Sequence, residues 1–201
     1  MARCPRCVAG GEPTIGSGQS VLNDNGSEPN LNIIGEWVAL GPLRRDLIPL
    51  YCRWNNDFAT TRTLARSQPL TVDAMTAAYD AAPDAGAVDF TIYERATGRP
   101  IGSAYLHDID HRNRTAEFGI VLGEADARGK GYGTETARLM LDYAFTDLGL
   151  HRVMLRVYAF NRAGLRAYGK AGFRVFGTRR QCHSMGGRLW DVIFMEATSN
   201  E

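Results

Sequence analysis

The amino-acid sequence predicts a single α/β domain built on a mixed β-sheet. Three observations support this. Short apolar runs and period-two alternation mark strands, apolar residues at helical spacing mark helices, and the two kinds of segment are interleaved along the chain. The 201 residues fit one domain and, at 44% apolar, can fill a sizeable core.

Residues 1–32 are rich in Gly, Ser, Asn and Pro, lack an apolar period and read as a tail, so the domain is expected over 33–199. The run 33–40, IIGEWVAL, has strand character. Over 43–57, Leu43, Leu47, Leu50, Tyr51 and Trp54 fall at helical spacing; a second helix over 72–82 follows Thr71 and stops at Pro83. Residues 88–95 and 100–109 flank the short turn ATGR and read as a hairpin. In strand 115–122, Ala116, Phe118, Ile120 and Leu122 share one face, and Glu117, Gly119 and Val121 the other. A long helix over 131–149 carries the stripe Ala137, Met140, Leu141, Ala144 and Leu148 and stops at Gly149. Strand 151–159 precedes a short helix over 162–171, capped by Asn161 and closed by Gly172. Segments 173–185 and 188–197, joined at Gly186–Gly187, form a closing hairpin.

With 23 basic and 22 acidic residues, the chain has no global attraction for nucleic acid or an anionic membrane, so any anion site has to be local. No apolar run approaches the ~20 residues of a membrane span. The N-terminus has no apolar stretch after its arginines, so no secretory signal is expected. These features predict a soluble cytoplasmic protein. Cys4 and Cys7 form a lone C-x-x-C with no second pair, and Cys182–His183 does not supply one. Reduced surface thiols, with no metal, are the expectation.

The stretch RGKGYGT (128–134) lies between strand 115–122 and the long helix. A Walker loop requires Gly-Lys-Ser/Thr, which is absent. A dinucleotide fingerprint requires G-x-G-x-x-G and a later acid, whereas Gly129, Gly131 and Gly133 give G-x-G-x-G and the next strand ends without one. Glycines let successive backbone N–H groups turn toward one point, and a helix N-terminus adds partial positive charge. Such a cradle suits a pyrophosphate, with Arg128 and Lys130 nearby.

The segment AEFGIVLGEADARGKGYGTETARLMLDYAF, with Arg128, Gly131 and Gly133 as [R/Q]-x-x-G-x-[G/A], resembles the acetyl-CoA-binding motif of the GNAT superfamily of N-acetyltransferases. Downstream, NRAGLRAYGKAGFRVFG is similar to the family's N-x-x-[A/S]-x-x-x-Y-x-K-x-G-F segment. Asn161, Tyr168, Lys170, Gly172 and Phe173 meet it, with Gly164 in place of the small Ala/Ser. The resemblance covers 33–197 and leans toward the ribosomal-protein-alanine and spermidine N-acetyltransferases, which W-N-N-D at 54–57 also resembles.

The resemblance implies a single-domain GNAT fold, with a mixed, mostly antiparallel central sheet splayed between strands 115–122 and 151–159 and flanked by helices. It implies acetyl-CoA as co-substrate, with pantetheine along Ile120, Val121 and Leu122. Arg128, Gly129, Lys130, Gly131, Tyr132, Gly133 and Thr134 would face the pyrophosphate, and Asn161, Gly164 and Lys170 would complete the grip. Asn161 also reads as a helix N-cap. The row Arg162, Arg166 and Lys170 reads either as a solvated face or as a contact for the CoA 3′-phosphate.

An amine with a pKa near 10 is mostly protonated at neutral pH, and a carboxylate can accept that proton. Glu117, placed mid-strand, is the candidate base; an ion pair with Arg112 or Arg114 is the alternative. His107, Asp108, Asp110 and His111 are reserve bases. Backbone N–H near Leu122 suits the oxyanion. The resemblance assigns Tyr168 as the acid for the leaving thiolate, against a packing role beside Leu165 and Phe173. The acceptor is expected to be a small-molecule amine: a polyamine, an aminoglycoside, or another amine metabolite or antibiotic. It would enter over the N-terminal helices, the 107–114 turn and the closing hairpin. A protein N-terminal amine as acceptor, a CoA-binding sensor without catalysis and a nucleotide-dependent enzyme stand as alternatives. Trp37, Trp54 and Trp190 read as pocket lining or as core. No nucleic acid or membrane partner is expected, and a homodimer is left open.

Overall fold

The computed structural model describes residues 29–64, 68–81 and 86–199. Cys4, Cys7, Pro83 and residues 1–28 of the expected tail lie outside the described residues. The first elements among the described residues are β1 (Ile33–Ile34) and β2 (Val38–Pro42), a small hairpin where one strand was expected. The turn between them is held by Glu135. Its carboxylate accepts from the amides of Glu36, Trp37 and Val38, the last two at 3.0 Å.

Three helices follow: α1 (Ile48–Asn56), α2 (Phe58–Thr61) and α3 (Val72–Asp80). The short α2 was not expected. Asp57 ends α1 and caps α2, accepting from Ala59 N at 3.0 Å, so one residue closes one helix and starts the next. The W-N-N-D run is largely consumed by such contacts. Asn56 exchanges two hydrogen bonds with Leu70, at 2.7 and 2.8 Å, and clamps the segment that leads into α3.

The remaining elements are β3 (Val88–Glu94), β4 (Arg99–Asp110), β5 (Thr115–Leu122), α4 (Tyr132–Thr146), β6 (Arg152–Tyr158), α5 (Arg162–Ala171), β7 (Arg174–Met185) and β8 (Arg188–Thr198). The eight strands form one sheet in the order β1-β2-β3-β4-β5-β6-β8-β7. Every neighbouring pair is antiparallel except β5–β6. That parallel ladder spans only Thr115↔Arg152, Ala116↔Val153 and Glu117↔Met154. Beyond Glu117 the two strands part, as the resemblance implies.

Strand alternation sorts the helices onto two faces. On β3, Phe90 and Ile92 join Met140, Leu141 and Ala144 of α4 in the main core. Thr91 faces the other way, its hydroxyl hydrogen-bonded to Tyr51 of α1 at 2.5 Å. A smaller cluster of Ile48, Tyr51 and Trp54 sits under α1. The alternation expected for β5 holds through Phe118, but Val121 is buried while Ile120 and Leu122 are half-buried. By that point β5 has left β6, so Ile120 and Leu122 border an opening instead of a neighbouring strand. No described helix is long and apolar enough to cross a membrane.

Trp54 ties α1 to the end of β5. It is 2% exposed, its ring lies against Gly123, and its indole N–H donates to Glu124 at 2.8 Å. Trp54→Ala is expected to cost about 3–5 kcal/mol, because it leaves a large cavity under α1; Glu124 keeps its bond from Arg53. Urea unfolding measures this; a loss below about 1 kcal/mol would contradict the packing role.

Candidate active site

The parting of β5 and β6 opens the sheet, and two clefts meet there. The first has a volume of about 480 Å³. Its walls are the end of β5 (Ile120, Val121, Leu122), the glycine loop (Arg128, Gly129, Gly131, Gly133, Thr134) and α5 (Asn161, Gly164, Arg166, Tyr168, Lys170). Lys130 and Tyr132, expected to face the same space, do not line it. Tyr132 Oη donates to Glu94 at 2.9 Å, and Lys130 Nζ lies 4.0 Å from the same carboxylate. Hydrogen bonds from the Thr97 and Tyr132 hydroxyls hold the Glu94 carboxyl below its ordinary range.

The loop has the backbone shape expected of an anion cradle. Gly129 and Gly131 have φ of 77° and 92°, left-handed values that side chains with a Cβ rarely adopt. Gly131 caps α4 with no side-chain hydrogen bond. The amides of Gly129, Lys130 and Gly131 donate to no acceptor among the described residues. A helix start with open N–H groups and no Cβ in the way fits a pyrophosphate.

Arg128 plays a bracing part in this loop. Its Nε donates to Leu122 O at 3.1 Å and its Nη2 to Thr60 Oγ1 at 2.7 Å, joining the end of β5 to α2. Asn161 is the N-cap of α5, accepting from Gly164 N at 2.9 Å, and it also borders both clefts. A Cβ at position 164 would sit 2.7 Å from Asn161 Nδ2, so Ala or Ser there would make the Asn161 side chain shift. Of the basic row on α5, Arg166 and Lys170 reach the first cleft and Arg162 lines neither.

The second cleft has a volume of about 290 Å³ and includes His107, Glu117, Arg156, Arg179 and His183. Ile120, Asn161 and Tyr168 belong to both clefts and mark their junction. Tyr168 packs edge-on to Phe118 and Phe173, with ring centres 6.2 and 6.1 Å away. Its hydroxyl has no hydrogen-bond partner among the described residues. Burial pushes its phenol well above the ordinary value, with the neighbouring Tyr105 adding to the shift.

Glu117 is ion-paired, but with neither Arg112 nor Arg114. Arg156 Nε donates to its Oε1 at 2.6 Å. The short ladder explains this: Glu117 lies opposite Met154, and Arg156 is two residues further along the same face of β6. Arg114 instead donates to Gly149 O at 2.8 Å. Glu117 Oε2 has no partner among the described residues.

Of the reserve bases only His107 lines a cleft. Its Nδ1 is 2.8 Å from Asp108. Asp110 is held in its own turn by Asn113, at 2.9 and 2.6 Å, and these bonds keep its carboxyl below the usual range. His111 is exposed. None of the tryptophans lines either cleft. Trp54 is core, Trp37 is half exposed near Gly131, and Trp190 donates to Met185 O at 3.2 Å. Sequence reasoning did not find Arg156, Arg179 and His183. Their only signal is alternation with Tyr158 and Val192, which carries meaning once the strand register is known.

Residues 38–174 match the family described as "Acetyltransferase (GNAT) domain". Spermidine N(1)-acetyltransferase of Escherichia coli is 39% identical over 98 residues, covering 49% of this chain and 52% of that protein. An uncharacterized N-acetyltransferase of Bacillus licheniformis, p20, is 31% identical over 112 residues, covering 56% and 62%. These alignments thus span between about half and three-fifths of the curated relatives. Spermidine N-acetyltransferase from Vibrio cholerae, solved in complex with CoA and spermine, superposes with a TM-score of 0.76 at 25% identity. That match covers 82% of this chain and 96% of the other. Another structure of the Vibrio cholerae enzyme is described as dodecameric. With the family match running from β2 to the start of β7 across the splayed strands and the glycine loop, this chain belongs to the GNAT acetyltransferase family.

Proposed function

We propose that the protein transfers an acetyl group from acetyl-CoA directly to the primary amine of a small molecule. The observation that carries this reading is the meeting of the two clefts at Ile120, Asn161 and Tyr168, in the gap where β5 leaves β6. One cleft ends on open loop amides and the other on a carboxylate, so the two substrates approach one point from opposite sides. Acetyl-CoA supplies the acetyl group and a thiolate leaving group. The residues divide the remaining work. Open amides of the loop and the α4 N-terminus hold the pyrophosphate, and the unpaired edge of β5 offers backbone groups to the pantetheine arm. Glu117, steadied by Arg156, takes the amine proton through Oε2 or a water. Tyr168 donates to the sulfur as charge develops there.

The size of the second cleft, about 290 Å³, favours a small acceptor over a protein terminus. One of the relatives and the superposed structure are named for spermidine, a polyamine, which puts polyamines among the amines to be tested. An acetyl-CoA-coupled thiol-release screen over polyamines, aminoglycosides, amino acids and N-terminal peptides tests the reading. Turnover confined to peptides would refute the small-molecule acceptor, and no turnover with any amine would refute the transferase.

Glu117→Gln should lower kcat about a hundredfold or more at neutral pH. The defect should shrink as pH rises toward 10, where the free amine no longer needs a base. A defect of constant size across that pH range would remove Glu117 from the proton path.

A further inference from the structure

The acceptor cleft has a direction in its charge. Strand register places its charged groups on one face of the sheet. Glu117 lies opposite Met154, and Met154, Arg156 and Tyr158 alternate along one side of β6. Arg156 lies opposite Phe194, and Tyr158 and Arg179 both lie opposite Val192 on β8. Glu117, Arg156 and Arg179 all line the cleft.

Their charges do not cancel evenly. Glu117 and Arg156 neutralise each other at 2.6 Å. The other acids of the region gather around His107: Asp108 bonds it at 2.8 Å, and Asp89, opposite the adjacent Tyr105, interacts with it electrostatically. At the other end, on β7, Arg179 has no ion-pair partner among the described residues. The β4–β5 rim of the cleft is therefore acidic, with carboxylate oxygens of Asp108 and Glu117 and a ring nitrogen of His107 within 4.8 Å of one another, while the β7 side carries a guanidinium with no ion-pair partner among the described residues.

We propose that the preferred acceptor is an amine bearing a second, anionic group, a carboxylate or a phosphate, and not a polycation. This rests on the transferase reading above. The reacting amine sits at the Glu117 end, and the anion meets the fork of Arg179, whose paired donors match the oxygens of either group. Strands β5 and β7 lie three strand spacings apart, roughly 14 Å, and Arg179 is offset from Glu117 by four residues along β6, about 13 Å, so their backbones are roughly 19 Å apart; with both side chains lining the cleft between, a spacer of several methylenes joins the two groups. A polyamine in the same pose brings its distal ammonium to Arg179, like charge against like.

Matched acceptors test this on the full chain. Cadaverine and ε-aminocaproate share a chain length and differ at the far end; aminopropyl phosphate and spermidine complete the set. Thiol release with acetyl-CoA should show kcat/KM for the better anionic amine about five- to tenfold above cadaverine and spermidine. Arg179→Gln should erase the preference and Arg179→Glu should invert it; thermal melts check that both variants fold. Carboxylate ahead of phosphate, or the reverse, identifies the group, and either order supports the proposal. Polyamines equal or superior to the anionic amines in the wild type overturn it while leaving the transferase intact. A preference unchanged in Arg179→Glu also overturns it. Absence of thiol release with every amine tested removes both readings.

Discussion

Tyr168→Phe is expected to lower kcat about a hundredfold or more while leaving CoA affinity within about twofold. The ring is fixed by edge-on contacts to Phe118 and Phe173, and phenylalanine reproduces them. The hydroxyl bonds no described residue, so its loss breaks no hydrogen bond of the resting fold. What disappears is the hydroxyl of a residue that borders both clefts, the proposed donor to the leaving thiolate. Burial disfavours the phenolate and so raises this pKa; the group stays protonated through the whole working range. Tyr168 therefore contributes no falling limb to the kcat profile below pH ~10. Stopped-flow thiol release together with CoA titration measures both quantities. A Kd for CoA that rises in step with the loss of kcat would make the tyrosine a packing residue.

Gly131→Val is expected to weaken CoA binding about a hundredfold or more. At φ of 92° a branched residue is strained by about 1–2 kcal/mol, and the capping turn of α4 is pulled toward a different shape. The protein itself leaves room: a Cβ there lies 3.7 Å from the nearest atom, on Trp37. The fold should thus survive, and the loss should fall on the anion that must approach the open amides. Gly131→Ala, with a smaller obstruction, should fall between. Calorimetric titration with CoA reads the effect, and an unchanged Kd for the valine variant would refute the loop as the pyrophosphate site.

The elements differ in how much of them the sequence exposes. The stripe of α4, the Asn161 cap of α5 and the closing hairpin are local patterns and appear close to where the periodicity puts them, though α4 ends at Thr146 and leaves Leu148 and Gly149 outside the helix. The split of β1 from β2 is not local. It depends on Glu135, distant in the chain, accepting three amides of the turn. The short α2 was hidden because Asp57 both ends one helix and begins another.

The same division runs through the candidate site. By itself the sequence determined the glycine cradle and the Tyr168 segment, because each depends on residues close together along the chain. Backbone conformation at Gly129 and Gly131 and helical spacing from Asn161 to Tyr168 are short-range properties. Only the tertiary structure decided the partner of Glu117, the turning of Lys130 and Tyr132 toward Glu94, and the position of Arg179 beside the cleft with no ion-pair partner among the described residues. Those outcomes follow from which strands become neighbours and in what register. A two-residue shift along β6 would set a different side chain beside Glu117, and no local preference of the chain encodes that alignment.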